Sequence, residues 1–236
     1  MKIREQFSKY AKNYHNYSKI QQEGAQLLVE NLPNSLGTIL DIGCGSGRIY
    51  NLINSKNITY DKFYGSDFSA NMIQLHPQAD NVTLDIADFN TDELSKIYSN
   101  RKIDIAISSS ALQWAEDINA TFKTISSIAP MGAFFIFTSG TFKTLHKIAN
   151  VKSPIVTKLE VLSAFNANYN ELKSRELNFK LEFNTTLDML RYIKKSGVSG
   201  GGFNLSYLEL KRVIKEYNLN YLEFEALLLI GESRWK

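Results

Sequence analysis

The segment LGTILDIGCGSGRIY, residues 36–50, leaves few folds open. An apolar run carrying the acid Asp41 meets three glycines on alternate positions, Gly43, Gly45 and Gly47. A periodic apolar stretch with Leu52 and Ile53 follows. The run reads as a short β-strand, the glycines as a turn and the sequel as a helix. A side chain at 43, 45 or 47 would block a tight strand-to-helix turn or hold a ligand off the backbone. The helix brings unpaired N–H groups to the same place.

The pattern then repeats without the glycines. DKFYGSDFS, VTLDIAD, KIDIAISSS and AFFIFTSG read as four further strands, with helices around Met72 and Ile73 and over residues 118–129. The apolar run of KIDIAISSS suits a buried parallel strand. Strands alternating with helices predict a doubly wound α/β fold with a parallel sheet. Such sheets bind ligands beyond the carboxyl ends of their strands. Asp41, Asp67, Asp88 and the segment Ser108–Trp114 all fall at those ends. Residues 3–31 read as one helix, with Phe7, Tyr10, Ala11 and Tyr14 near one face. In the second half, LNFKLEF reads as a strand, TLDMLRYIKKSG and LSYLELKRVIKEYN as helices around GVSGGGF, and YLEFEALLLIGES as a closing strand. The division expected is a single domain over 1–236: a helical cap at 1–35, a ligand-binding core at 36–140, a substrate and lid region at 141–219 with a strand near 177–183, and a closing strand at 220–236.

Composition excludes several classes. Apolar residues make up 44% and charged residues 22%, as in an ordinary globular domain. No apolar core of a secretory signal and no membrane span is read, so no membrane partner is expected. Cys44 is the sole cysteine, which agrees with a cytoplasmic location. His15, His76 and His146 share no spacing with it, and no metal site is expected. The formal charge is +3, with clusters at Lys143/Lys147/Lys152, Arg191/Lys194/Lys195 and Lys211/Arg212/Lys215. They read either as solvated surface or as a patch for an acidic partner. No dense arginine run with interleaved aromatics occurs, so nucleic acid is not expected.

Two ligand classes compete for the glycine turn. The dinucleotide fingerprint is G-x-G-x-x-G, and its third glycine would be residue 48, which is Arg48. Asp41 would repel a pyrophosphate and attract a cationic amino-acid headgroup, directly or through water. Asp67 stands where an acid can accept both ribose hydroxyls. Asp88 stands where a carboxylate can accept an adenine amino group, with Asp85 as its rival. Each acid alone reads equally well as a helix cap. Three at successive strand ends beside the glycines argue for a nucleoside with a cationic tail.

LDIGCGSG, YGSDFS, IADF and IDIAISSSALQW together resemble the class I S-adenosylmethionine-dependent methyltransferases over roughly residues 36–140. The resemblance implies S-adenosyl-L-methionine as cofactor and a Rossmann-like, seven-stranded, mostly parallel sheet with the last strand antiparallel. It puts Asp41, Gly43, Gly45, Gly47, Asp67, Phe68, Asp88, Phe89 and Ser108 around the cofactor. SSSALQWAED replaces the NPPY-like motif that often serves amine acceptors, which disfavours methylation of a nucleobase nitrogen.

SALQW, with FSKYAKNYHNYSKIQ, TLHKIA and LRYIKKSGVSGG, is similar to the malonyl-[acyl-carrier protein] O-methyltransferases of biotin synthesis over nearly the whole chain. This implies methyl ester formation on the free carboxylate of a malonyl thioester, with the acidic acyl carrier protein as partner and a monomeric enzyme. It suggests Tyr14 closing over the cofactor, Gln113 and Trp114 at the mouth of the site, His146 facing substrate and Arg191 orienting the malonyl carboxylate through its bidentate fork. Trp114 reads equally as core, and His146 and Arg191 as surface. The fold does not set the acceptor. Another carboxylate such as aconitate, a quinone ring carbon, or a non-catalytic S-adenosylmethionine-binding scaffold are the competing readings.

Overall fold

The computed structural model describes residues 18–196 and 205–235. Helix α1 (Lys19–Glu30) precedes an alternating series: β1 (Thr38–Ile42), α2 (Arg48–Ser55), β2 (Lys62–Asp67), α3 (Ala70–Ile73), β3 (Val82–Ile86), α4 (Glu93–Tyr98) and β4 (Ile105–Ser109). After a 3-10 turn at Leu112–Trp114 come α5 (Ile118–Ile128), β5 (Met131–Phe137), α6 (Lys143–Ala149), α7 (Lys158–Asn168), β6 (Tyr169–Glu182), α8 (Thr186–Ser196), α9 (Tyr207–Glu216) and β7 (Tyr221–Ser233). The predicted helix over 3–31 is described only in its second half. Phe7, Tyr10, Ala11 and Tyr14 lie outside the described residues, as does most of the glycine-rich turn between α8 and α9.

The seven strands form one sheet in the order β3-β2-β1-β4-β5-β7-β6. β7 runs antiparallel to both neighbours, while β1 to β5 pair in parallel, as the family resemblance implies. Both faces of the sheet are covered. Along β5, Ala133, Phe135 and Phe137 enter one core with α1 and the later helices, and Phe134 and Ile136 enter the other. This two-sided burial is why the strand reads as an unbroken apolar run rather than an alternating one.

Two departures from the sequence reading stand out. β6 starts at Tyr169, well before the expected strand near 177–183, and holds to β7 across a bulge between Glu171 and Lys173. Helix α7 is the second, an element the sequence pattern does not mark. Thr157 caps it, its hydroxyl accepting from the Glu160 N–H while the Glu160 carboxylate accepts from the Thr157 N–H.

Candidate active site

The chain leaves β1 toward β2 on one side of the sheet and returns to β4 on the other. A crevice must open between the carboxyl ends of these two strands, where the connections part. A cavity of about 340 Å³ lies there. It is lined by the turn after β1, the ends of β2 and β4, and the loop after β3. Asp41, Gly43, Gly45, Asp67, Phe68, Asp88, Phe89 and Trp114 all meet at this cavity.

The three glycines serve different ends. All have positive φ, which L-residues avoid. A Cβ at Gly43 would sit 2.4 Å from Ala111 Cβ, and one at Gly47 would sit 2.6 Å from Pro77 Cδ. These two let the turn pack. At Gly45 a Cβ would meet no atom of the described residues within 4 Å. Only this glycine is kept small toward open space. Gly47 is the N-cap of α2 and does not line the cavity.

The acids differ as sharply. Asp41 is 1% exposed, and neither carboxylate oxygen has a hydrogen-bond partner among the described residues. Burial, reinforced by the nearby Asp67 charge, pushes its pKa up to about 8. Leaving a buried carboxylate unpaired is costly, and the natural remedy is a cationic ligand. Asp67 is already engaged. Its Oδ2 accepts the Gly45 N–H at 3.0 Å and its Oδ1 the Ser69 N–H at 2.8 Å. It therefore fixes the glycine turn, with one lone pair on each oxygen still available. Burial raises its pKa, against the pull of these two N–H groups.

Asp85 and Asp88 point to different places. Asp85 Oδ2 accepts from Tyr98 Oη and Arg101 Nη1, each at 2.9 Å, away from the cavity. Asp88 lines it, with Oδ1 accepting the Asn90 N–H at 3.0 Å.

At the end of β4, Ser108 stops one pleat short. It is fully buried, and its hydroxyl donates to the Ile42 carbonyl at 2.7 Å, tying β4 to β1 behind the cavity wall. Ser109 and Ser110 line the cavity instead, and both hydroxyl oxygens are buried without a partner among the described residues. Ser110 has φ of 60°, a left-handed conformation rare for serine. Its N–H donates to the Phe135 carbonyl at 2.8 Å, and its own carbonyl accepts from Gln113 Nε2 at 2.7 Å. Gln113 thus holds this backbone in place and does not line the cavity.

A family model described as a methyltransferase domain matches residues 33–184, well over half of the chain. The chain belongs to this methyltransferase family. The cofactor is S-adenosylmethionine. Among curated relatives, a malonyl-[acyl-carrier protein] O-methyltransferase of Priestia megaterium is 29% identical over 61% of this chain and 54% of its own length. This methyltransferase therefore spans about half of that relative. Proteins of the same name from Calditerrivibrio nitroreducens and Ilyobacter polytropus are 28% and 25% identical, covering 82% and 96% of this chain and 78% and 92% of theirs. Among solved structures, the YcgJ protein of Bacillus subtilis superposes with a TM-score of 0.61 at 12% identity, over 91% of this chain and 99% of that one. Geranyl diphosphate C-methyltransferase of Streptomyces coelicolor, solved with S-adenosyl-L-homocysteine, superposes with a TM-score of 0.54 at 15% identity, over 88% and 77%.

Two residues expected at the substrate do not reach the methyltransferase cavity. Arg191 lies on the exposed face of α8, where its guanidinium meets Asp188 Oδ1 at 3.0 Å, one helical turn away. His146 is buried on α6 beside Phe142, with ring centroids 6.3 Å apart, and burial lowers its pKa. Neither lines the cavity: the apolar face of α6 turns His146 into the core, and Arg191 pairs with Asp188 on its own helix. Tyr14 lies outside the described residues. Among these no group of three or more His, Cys, Asp or Glu side chains could hold a metal, and no helix is long and apolar enough to cross a membrane.

Two results are expected here. Asp67→Ala removes a charged acceptor that also fixes Gly45, and hydrogen bonds to charged groups are worth roughly 1.5–3 kcal/mol each. Calorimetric titration should show S-adenosylmethionine affinity reduced at least about tenfold. Affinity within about twofold of wild type would assign the ribose to another residue. Ser110→Gly should relieve the left-handed strain and raise stability to urea by roughly 1 kcal/mol. The same change deletes the hydroxyl, so methyl transfer should slow while cofactor affinity is kept. Unchanged turnover would make this backbone purely structural.

Proposed function

We propose that this methyltransferase transfers the methyl group of S-adenosylmethionine to the free carboxylate of a malonyl thioester carried by acyl carrier protein, the step that yields the methyl ester primer of biotin synthesis. The observation that carries the reading is that relatives bearing this name align along most of the chain, beyond the cofactor-binding strands and into the later helices.

The cavity fits the cofactor in its charge and shape. Asp41 would hold the cationic amino headgroup, which relieves its buried, unpartnered carboxylate. The nucleoside would pass over Gly45, where no side chain intrudes. Asp67 would accept the ribose hydroxyls through its remaining lone pairs, and Asp88 the adenine amino group. Phe68 and Phe89 would supply apolar walls. Bound in this way, S-adenosylmethionine supplies an electrophilic methyl on a sulfonium.

The chain then has only to align and dry the acceptor. A carboxylate is already anionic and needs no general base, so the chain need supply no proton acceptor. One carboxylate oxygen would be held in line with the sulfonium methyl group, which the cofactor would give up to it with the bonding pair kept on sulfur, and the chain would have no proton to move. Ser109 and Ser110, whose cavity-side hydroxyls have no partner among the described residues, would orient the second carboxylate oxygen. Two neutral donors hold the carboxylate without quenching its nucleophilicity, as a tight guanidinium pair would. Positioning of this kind is the main resource of such a displacement. Tyr14 would close the site from the N-terminal segment. The reading makes the protein a cytoplasmic monomer.

Incubation with methyl-labelled S-adenosylmethionine and malonyl-acyl carrier protein, malonyl-coenzyme A, aconitate or a quinone tests it. Label should appear on the malonyl thioester as a base-labile ester. Label on aconitate or the quinone alone overturns the acceptor, and label on none of the four overturns the enzymatic reading.

A further inference from the structure

Helix α9 has two unlike faces. Val213 and the adjoining Tyr217 are buried and Leu210 is half-buried, and the helix packs against α6. The opposite face carries Leu208, Lys211, Arg212 and Lys215 at i, i+3, i+4 and i+7, which forms a single stripe. All four are exposed, Leu208 at 73%. Tyr207 and Ile214 border the stripe and are also exposed, and the Lys211 ammonium lies 4.8 Å from the Tyr207 ring centroid. The two acids of the helix stand off the stripe. Glu209 is tied into a capping box with Ser206, and Glu216 sits on the far border.

Scattered exposed apolar residues need no explanation, and neither does a lone lysine. Three cations and Leu208 in the stripe, bordered by Tyr207 and Ile214 on one side and by Glu216 on the other, are a different matter. Arg212 has Glu209 beside it, while Lys211 and Lys215 face outward with it, so the stripe is net positive and an anionic surface is its complement. The apolar side chains call for a partner with packed side chains of its own.

Position supports a role in delivering the substrate. The end of β6 pairs with the start of β7, Glu182 with Tyr221, and the end of β5 pairs early in β7, Phe137 with Ala226. The segment between β6 and β7, which holds α8 and α9, therefore departs from the carboxyl edge of the sheet. The cavity opens at this same edge. Helix α6, packed against α9, exposes Lys143 and Lys147 one turn apart.

We infer that the Leu208–Lys211–Arg212–Lys215 face of α9 is the docking surface for the acidic surface of the carrier protein that presents the acyl thioester. The inference rests on the proposed function and adds to it the place where the protein part of the substrate binds. Docking at the carboxyl edge leaves the thioester arm to enter the cavity while the carrier stays outside.

The test compares two substrates with the same reacting group. Malonyl-acyl carrier protein has the acidic surface, and malonyl-pantetheine lacks it. Lys211, Arg212 and Lys215 are changed together to Glu, and separately to Gln, in the full chain. For the carrier substrate the Glu variant should lose at least about tenfold in kcat/KM at low salt, mostly through KM, with a smaller loss for Gln. The deficit should shrink as salt rises. Kinetics on malonyl-pantetheine and S-adenosylmethionine affinity should stay within about twofold of wild type. Leu208→Ser should weaken the carrier substrate in a way that salt does not change.

Equal losses on both substrates would overturn the inference, since they would mean damage to the fold or the cavity. No loss on either would overturn it too, as would loss of adhesion to phosphatidylglycerol vesicles with carrier kinetics intact. These outcomes leave the proposed function standing. A wild-type chain that methylates neither malonyl thioester overturns that function, and this inference with it.

Discussion

Gly45→Val is expected to abolish S-adenosylmethionine binding in a chain that still folds. The added Cβ would meet no atom of the described residues beyond its chain neighbours within 4 Å, so it points into open space rather than into the protein. The room lost is the ligand's. Valine also resists φ near +54°, and left-handed backbone costs roughly 1–2 kcal/mol for an L-residue. That is a tolerable fraction of the roughly 5–15 kcal/mol that holds a domain together. Calorimetric titration, with circular dichroism as the folding control, should show affinity lowered by more than about a hundredfold. Gly43→Ala and Gly47→Ala provide the contrast. Their Cβ atoms would strike Ala111 and Pro77, so they should lower Tm before they alter affinity in the protein that remains folded. Undiminished affinity in folded Gly45→Val would remove the glycine turn from the cofactor site.

Asp41→Asn should move stability and binding in opposite directions. The folded pKa of about 8 lies far above the roughly 3.9 of an unfolded Asp. Between those values the native state holds the extra proton, so stability is fully present below about pH 4 and is lost as pH rises toward 8. Each pKa unit corresponds to about 1.4 kcal/mol, which makes the loss a matter of several kcal/mol at most. The variant has no such group, and its Tm should exceed that of the cofactor-free wild type at pH 8. Its affinity for S-adenosylmethionine should fall at least about tenfold, since a charged hydrogen bond is worth roughly 1.5–3 kcal/mol. Wild-type binding at pH 7 should also release close to one proton, read as a dependence of binding heat on the buffer. In the variant that dependence should vanish. Affinity that is unchanged, with no proton released by wild type, would mean that Asp41 does not meet the headgroup.

Most of the cofactor half was legible because its determinants are local. β1, β4 and β5 are buried along nearly their whole length and read as apolar runs, while β2 and the half-buried edge strand β3 read from their short β-rich segments, and the acids that matter stand where these strands stop. What escaped has identifiable causes. The first half of β6 faces solvent with Glu171, Lys173 and Arg175, so no buried face imposes alternation on it. In α7 the buried residues Val161, Ala164, Phe165 and Asn168 keep helical spacing. However, Leu159 is 77% exposed and Asn168 is polar, and together they blur the stripe. Ser110 carries no mark in its residue type, because its left-handed backbone is set by its partners Phe135 and Gln113. The Asp188–Arg191 pairing, by contrast, is legible in the i,i+3 spacing of TLDMLR. Ser108 and Ser110 differ by a single pleat in what they face, which residue type alone does not reveal.

The β6 edge has a bearing on how the protein behaves as a colloid. Among the described residues, its fourteen positions have a strand on one side only, which leaves a ladder of amide and carbonyl groups on the other. Such a ladder invites a second molecule to add its own strand. Charges of both signs and the bulge at Leu172 are what discourage it. In 1 M salt, where charge is felt over only about 3 Å, the electrostatic part of this protection fades and the ladder remains. Edge-to-edge association is therefore expected to be greater in 1 M salt than in dilute buffer, a difference that light scattering at the two ionic strengths would show.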